Sequence, residues 1–345
     1  MERLLSEITE QPEVLQRLID LEYPAIREIA ADLRSRDIHW LLIAGRGTSD
    51  NAATYAKYLF GTVNRLPVAL AAPSLYTTYG TPPRLQSALV LAISQSGMSP
   101  DIVAVMEDAR AQGMPTVAIT NAPDSRLAQA VEWIILCRAG EERSVAATKT
   151  YTAELLALAL LSVALASDEG RFKRLQVLPE AVSAILASRD RVFQRAERYR
   201  YMDDCAVIGR GYNYATASEL ALKLKELTYV GANPYSSADF MHGPIAAIGP
   251  GFPVFLAAPG GRTYPELLQL AEELRQLQAE LIIVSDREEI LDLAQSPLCL
   301  PVSVEEWLSP VTAIVPGQLF GYSLALIKGL DPDHPRSLRK VTETL

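Results

Sequence analysis

The chain has 345 residues, 49% apolar and 21% charged, the balance of a globular protein rather than a disordered or fibrous one. Its 32 Lys and Arg against 41 Asp and Glu give a net charge of −9, which argues against nucleic-acid binding and against a polybasic hold on a membrane. At roughly 100–200 residues per domain, the length suggests two domains.

In chain order, the opening MERLLSEITEQPEVL shows no basic stretch running into an apolar one, so no secretory signal is expected. Residues 1–37 read as a helical segment. Apolar runs predict strands near 39–44, 88–93, 115–120 and 132–136, and amphipathic patterns predict helices near 49–61, 100–112 and 146–167. The greasiest run, Leu155 to Ser167, has 13 residues, short of the roughly 20 that span a bilayer. Residues 171–200 read as a charged helical linker. The pattern then starts again. IAGRGTSDNAA at 43–53 is matched by VIGRGYNYATA 164 residues later, and the strand–loop–helix–strand stretch 88–121 is matched by 253–286. The expectation is an α/β fold of two tandem doubly wound parallel-sheet domains related by internal duplication, at 38–170 and 201–329, with a polar tail at 330–345. The three cysteines form no framework or metal pattern, and only three histidines occur, so a cytoplasmic protein without a zinc site is expected.

Two loops of the first copy follow strands and open helices, where parallel sheets take ligands. They are Gly45-Arg46-Gly47-Thr48-Ser49 and Ser94-Gln95-Ser96-Gly97-Met98-Ser99. Their hydroxyls and N–H groups suit a phosphate monoester, although Ser and Gly also serve as plain turn formers. The duplication offers a control. The matching loop of the second copy, Pro259-Gly260-Gly261-Arg262-Thr263-Tyr264, makes its turn with few hydroxyls, so the serine cluster points to a ligand. The second copy has other assets. Glu219, Lys223 and Glu226 share one helix face, either as a solvated ion-pair stripe or as chemistry. His242 lies in a Gly/Pro turn, and Lys340 lies near the end of the chain.

Together these stretches resemble the sugar isomerase (SIS) family. More narrowly, they resemble the isomerase half of glucosamine-6-phosphate synthase and the stand-alone SIS-type glucosamine-6-phosphate deaminases. GRGTSDNAA and ISQSGMSPD resemble its sugar-phosphate loops, RSVAATKTYTAEL its next strand-to-helix segment, ELALKLKELTYVGANPYSSADFMHGP its catalytic helix and histidine loop, and DPDHPRSLRKVTETL its tail. By position, the resemblance implies that Thr48, Ser49, Ser94, Gln95, Ser96 and Ser99 hold the sugar phosphate and that Val145 lines the sugar. Glu226 would move a proton between C1 and C2, and Lys223 would touch the substrate or stand behind the residues that do. His242 would open the ring in a neighbouring subunit's site, which implies a homodimer. Lys340 would form an imine with the ketose carbonyl or sit beside it. No metal or other cofactor is implied.

Two departures shape the expected activity. No glutaminase domain or N-terminal catalytic cysteine is seen ahead of the isomerase unit. Met98 and Ser99 stand where the synthase typically has an acid and a threonine, and the tail reads LRKVTET; both changes resemble the deaminases and deglycases. The resemblance therefore implies conversion of glucosamine 6-phosphate to fructose 6-phosphate and ammonia. The alternatives are isomerisation or deglycation of another 6-phosphosugar, a synthase-like isomerase without its glutaminase, and a non-catalytic sugar-phosphate sensor.

Overall fold

The structure is a computed structural model that describes residues 2–340. It divides into two compact units. The first comprises Glu13–Arg143 and Lys149–Gln176, with Arg339 and Lys340; the second comprises residues 2–12, Ser144–Thr148 and Val177–Leu338.

The first unit holds a five-stranded parallel sheet of β1 (Trp40–Ala44), β2 (Val68–Leu70), β3 (Ala88–Ser94), β4 (Thr116–Thr120) and β5 (Trp133–Leu136), in the order β2-β1-β3-β4-β5. Every residue of β3 is buried. A parallel strand covered by helices on both faces has no polar side, which is why ALVLAIS reads as one unbroken apolar run. The Pro100–Ala111 helix packs Ile102, Val105, Met106 and Ala109 onto this sheet, at the three-to-four spacing of an amphipathic helix.

The second unit repeats the plan with β6 (Asp204–Gly209), β7 (Gly231–Ser236), β8 (Pro253–Ala257), β9 (Glu280–Ser285) and β10 (Ser296–Cys299), in the order β7-β6-β8-β9-β10, again all parallel. Both sheets thus carry the same strand order, and the α/β fold expected from the duplicated sequence is the one observed. Ahead of the first sheet stand the helices Arg3–Thr9 and Gln11–Arg34. The helices Lys149–Ala166 and Ser309–Ile327 are long and apolar enough to cross a membrane by length and composition, but each is 89% buried inside the protein. They are core helices, apolar on all sides because protein surrounds them on all sides.

Candidate active site

In each unit the first and third strands of the sheet are neighbours, and the chain leaves them toward opposite sides of the sheet. This is the switch point at which open parallel sheets bind ligands. In the first unit, β1 turns through Gly45-Arg46-Gly47 into the Thr48–Leu59 helix, and β3 turns through residues 95–99 into the Pro100–Ala111 helix. Both expected loops therefore flank the switch point. The Ser94 Oγ accepts the Gly97 N–H at 3.2 Å and the Ser96 Oγ accepts the Met98 N–H at 3.3 Å. A hydroxyl that accepts from the backbone keeps its own hydrogen for another acceptor. Ser99 stands at the N-cap of its helix and makes no side-chain cap bond. The Gln95 carbonyl accepts the Asn121 N–H at 3.1 Å, which fixes the loop to the end of β4. Gly97 has φ +61°, and a Cβ there would lie 2.1 Å from the Ser125 Oγ, so the turn admits only glycine. Ser49 differs from the other serines. Its hydroxyl donates to the buried Glu154 carboxylate at 2.9 Å and anchors its loop to the Lys149–Ala166 helix.

One feature of these loops escaped the sequence reading. The Arg46 Nε lies 2.7 Å from the Asp101 Oδ2, tying the first loop to the helix that follows the second. Asp101 is fully buried, and its other oxygen accepts the Ile102 N–H at 2.9 Å. The second unit has the same joint, with the Arg210 Nε 3.3 Å from the Glu266 Oε2. The signal lay in the repeat. GRG occurs in both copies, and both following helices carry an acid directly after their proline.

The Asn213–Thr228 helix carries the three charged residues of the second copy. Lys223 is 1% exposed, and its Nζ lies 3.4 Å from the Glu219 Oε1 and 2.5 Å from the Glu226 Oε2. Glu219 is fully buried, while the Glu226 side chain is 21% exposed. The structure thus excludes the solvated stripe. A buried ammonium, backed by one buried carboxylate, holds a second carboxylate at the protein surface. Such an ion pair costs desolvation and persists where its geometry is good.

His242 follows the short Ser237–Met241 helix and is exposed; its backbone N–H donates to the Asp239 carbonyl at 3.1 Å. Among the described residues its ring makes no hydrogen bond or ion pair within the chain. Val145 is half-buried in Ser144–Thr148 and belongs to the second unit, as do Lys223, Glu226 and His242. Lys340 belongs to the first unit with the hydroxyl loops. Its Nζ lies 2.6 Å from the Glu142 Oε2. Glu142 is buried and also accepts the Thr150 N–H at 3.1 Å and the Thr150 hydroxyl at 2.7 Å, so one carboxylate braces a helix start and grips the tail lysine. Nothing in the spacing of residues 142 and 340 announces this pair. Near the same cluster, Cys137 is a fully buried thiol. Burial, followed by the charges of Glu154, Glu142 and Glu22, pushes it well above the ordinary thiol range.

Comparison with known proteins follows the two sheets. The SIS domain family matches residues 36–164, which carry β1–β5, and 203–328, which carry β6–β10. The glutamine–fructose-6-phosphate aminotransferase (isomerizing) of Thermus thermophilus is 36% identical over 351 residues, covering 98% of this chain and 58% of the relative. The chain therefore spans a little over half the length of the curated relatives it matches. Among solved structures, a candidate phosphosugar isomerase of Silicibacter pomeroyi DSS-3 is 34% identical with a TM-score of 0.86, covering 96% of this chain and 100% of that one. Glucosamine-6-phosphate deaminase of Thermotoga maritima, at 23% identity, shares the fold with a TM-score of 0.79 over 99% of this chain and 100% of that one. With both of its sheets matched, this chain belongs to the SIS domain family.

Proposed function

We propose that this chain is a phosphosugar deaminase–isomerase that converts glucosamine 6-phosphate and water to fructose 6-phosphate and ammonia. The observation that carries the reading is the Glu219–Lys223–Glu226 chain. A C1–C2 proton shift asks for one carboxylate at the surface of a site, held in place by charge. A surface stripe has no reason to bury its lysine. The hydroxyl loops at the switch point, and the fold shared with a glucosamine-6-phosphate deaminase, support the same reading.

In this reading the hydroxyls of Thr48, Ser94, Ser96 and Ser99, with the backbone around Ser49 and Gln95, hold the phosphate. His242 carries the proton that opens the ring, a task suited to an imidazole, which can accept a proton at one ring nitrogen and donate from the other. Glu226 takes the proton from C2 of the open aldose and returns it to C1. The nitrogen sits on C2, so the shift leaves an iminium at that carbon. Water adds, the C–N bond breaks, and ammonia leaves a C2 ketone behind. Val145 lines the sugar, and Lys223 steadies Glu226. An amine attacks a carbonyl only when neutral, so an imine at Lys340 requires its proton to move, and the Glu142 oxygen at 2.6 Å can accept it. These steps use no cofactor. The exposed, unbonded ring of His242 suits service to a second copy of the chain, in a homodimer. Free Cys137, Cys205 and Cys299 suit a cytoplasmic setting.

A second reading is the reverse chemistry, amination of fructose 6-phosphate with ammonia from another protein. The 36% identity to a glutamine-dependent aminotransferase favours it. A panel of 6-phosphosugars and their 2-amino derivatives separates the two by following ammonia and ketose together. Ammonia release matched by fructose 6-phosphate supports the deaminase; ammonia consumption with the ketose supports the alternative. No turnover of any 2-amino sugar phosphate in either direction ends both.

The phosphate assignment has its own check. Changing Ser94 and Ser96 together to Ala is expected to raise KM for the phosphosugar by about 10²-fold or more, since each hydrogen bond to a charged group contributes about 1.5–3 kcal/mol. The fold, read by circular dichroism, should be unchanged. An unaltered KM would place the phosphate elsewhere.

A further inference from the structure

The second unit keeps the counterpart of the phosphate loop and fills it from within. Residues 259–263 leave β8 and open the 13-residue Tyr264–Gln276 helix. N–H groups at a helix start lack intrahelical partners and attract an anion. Here the anions belong to the chain. The Glu306 Oε2 accepts the Arg262 N–H at 2.8 Å, and its Oε1 accepts the Thr263 N–H at 3.1 Å and the Thr263 hydroxyl at 2.7 Å. The Asp286 Oδ1 accepts the Gly260 N–H at 2.6 Å. Glu306 is not a local cap. It arrives from the segment after β10, 44 residues from Arg262, and its own carbonyl accepts the Ser309 N–H at 3.2 Å at the start of the buried Ser309–Ile327 helix. The loop is cut to fit it, for a Cβ on Gly261 would lie 2.4 Å from the Glu306 Cδ. By the repeat, Arg262 and Thr263 are the counterparts of Gly97 and Met98.

We infer that Glu306 is a built-in anion occupying the second domain's counterpart of the phosphate site, so that the chain takes one phosphorylated ligand where the duplicated loops would otherwise offer two places. The inference rests on the reading that the first domain's loops take a phosphate. Two oxygens of one carboxylate meet three donors, as two oxygens of a phosphate would. With Glu306 gone, the donors of Arg262 and Thr263 open to solvent. The guanidinium of Arg287, which lies against Gly260 with its Nε 2.4 Å from where a Cβ would stand, is at hand to balance an incoming charge.

The test titrates the full chain with inorganic phosphate by ³¹P NMR and calorimetry. The parent is expected to bind one phosphate per chain and Glu306→Ala two. In the Ser94→Ala/Ser96→Ala background, Glu306→Ala is expected to raise binding from none to one. A folded Glu306→Ala variant with its parent's stoichiometry overturns the inference. Where the Ala variant fails to fold, Glu306→Gln keeps the size and removes the charge. Exchange of the Arg262 and Thr263 amides should then quicken roughly tenfold and slow again when phosphate is added. Unchanged exchange overturns the inference equally. A parent that binds no phosphate would instead defeat the reading of the first domain's loops, and the gain or absence of a site on removing Glu306 would still decide this one.

Discussion

Replacing Glu226 by Gln is expected to leave an enzyme that binds its sugar phosphate and does almost nothing with it. The amide oxygen can still accept from the Lys223 Nζ, now 2.5 Å from the carboxylate, so the helix and its buried lysine should stay in place. On the proposed mechanism, what disappears is the base. General acid–base help is worth roughly 10²–10⁴-fold, and kcat should fall by that factor while the dissociation constant of the phosphosugar stays within about twofold. Exchange of the C2 hydrogen with deuterated solvent, followed by NMR, should vanish with it. Exchange at the parent's rate would reduce Glu226 to an ion-pair partner. Mixing this variant with an inactive His242→Ala variant, under conditions that let subunits exchange, reports on assembly. If His242 serves the partner's site, each heterodimer contains one site with both groups intact and activity returns. If it serves its own, none appears.

Lys223→Met is expected to be the costliest single substitution for stability. Methionine fills much of the same volume but leaves Glu219, fully buried, and Glu226 without the ammonium that both face. Removing one partner of a buried ion pair costs about 3–5 kcal/mol. In a domain of this size that lowers Tm by roughly 6–20 °C, at about 2–4 °C per kcal/mol. Calorimetry should show the drop. Adding Glu219→Gln should recover part of it, because the second change discharges the buried carboxylate. A loss of less than 2 °C, about 1 kcal/mol, would mean the pair is not the brace described here.

The sheets were legible because parallel strands buried on both faces need continuous apolar runs. IHWLLIA, ALVLAIS, PTVAIT and WIIL can hardly be anything else. β2 was not read. It has three residues, lies at the sheet edge and is mostly exposed, so its side chains carry almost no burial pattern. The hydroxyl loops were legible because the second copy makes the same turn without them. The burial of Lys223 was not, since spacings of four and three suit a wet stripe and a dry ion pair equally. Which of the two forms depends on what covers that face, and no local pattern encodes it. The pairs Ser49–Glu154 and Lys340–Glu142 join residues 105 and 198 positions apart, and no local pattern encodes a meeting at that distance.

The Arg46–Asp101 and Arg210–Glu266 joints bear on how a duplicated chain diverges. Once two copies share one polypeptide, either can surrender its chemistry so long as the other retains it, and Ser94, Ser96 and Ser99 of the first copy stand opposite Pro259, Gly261 and Tyr264 in the second. The arginine–acid joint is present in both, with aspartate at 2.7 Å in the first copy and glutamate at 3.3 Å in the second. What survives in both halves is the part that each sheet requires to hold its own crossing together. The serine cluster, present in one half only, is the part that the proposed function assigns to a ligand. A protein that contains its own paralogue thus sorts scaffold from chemistry within a single sequence, without reference to any other molecule.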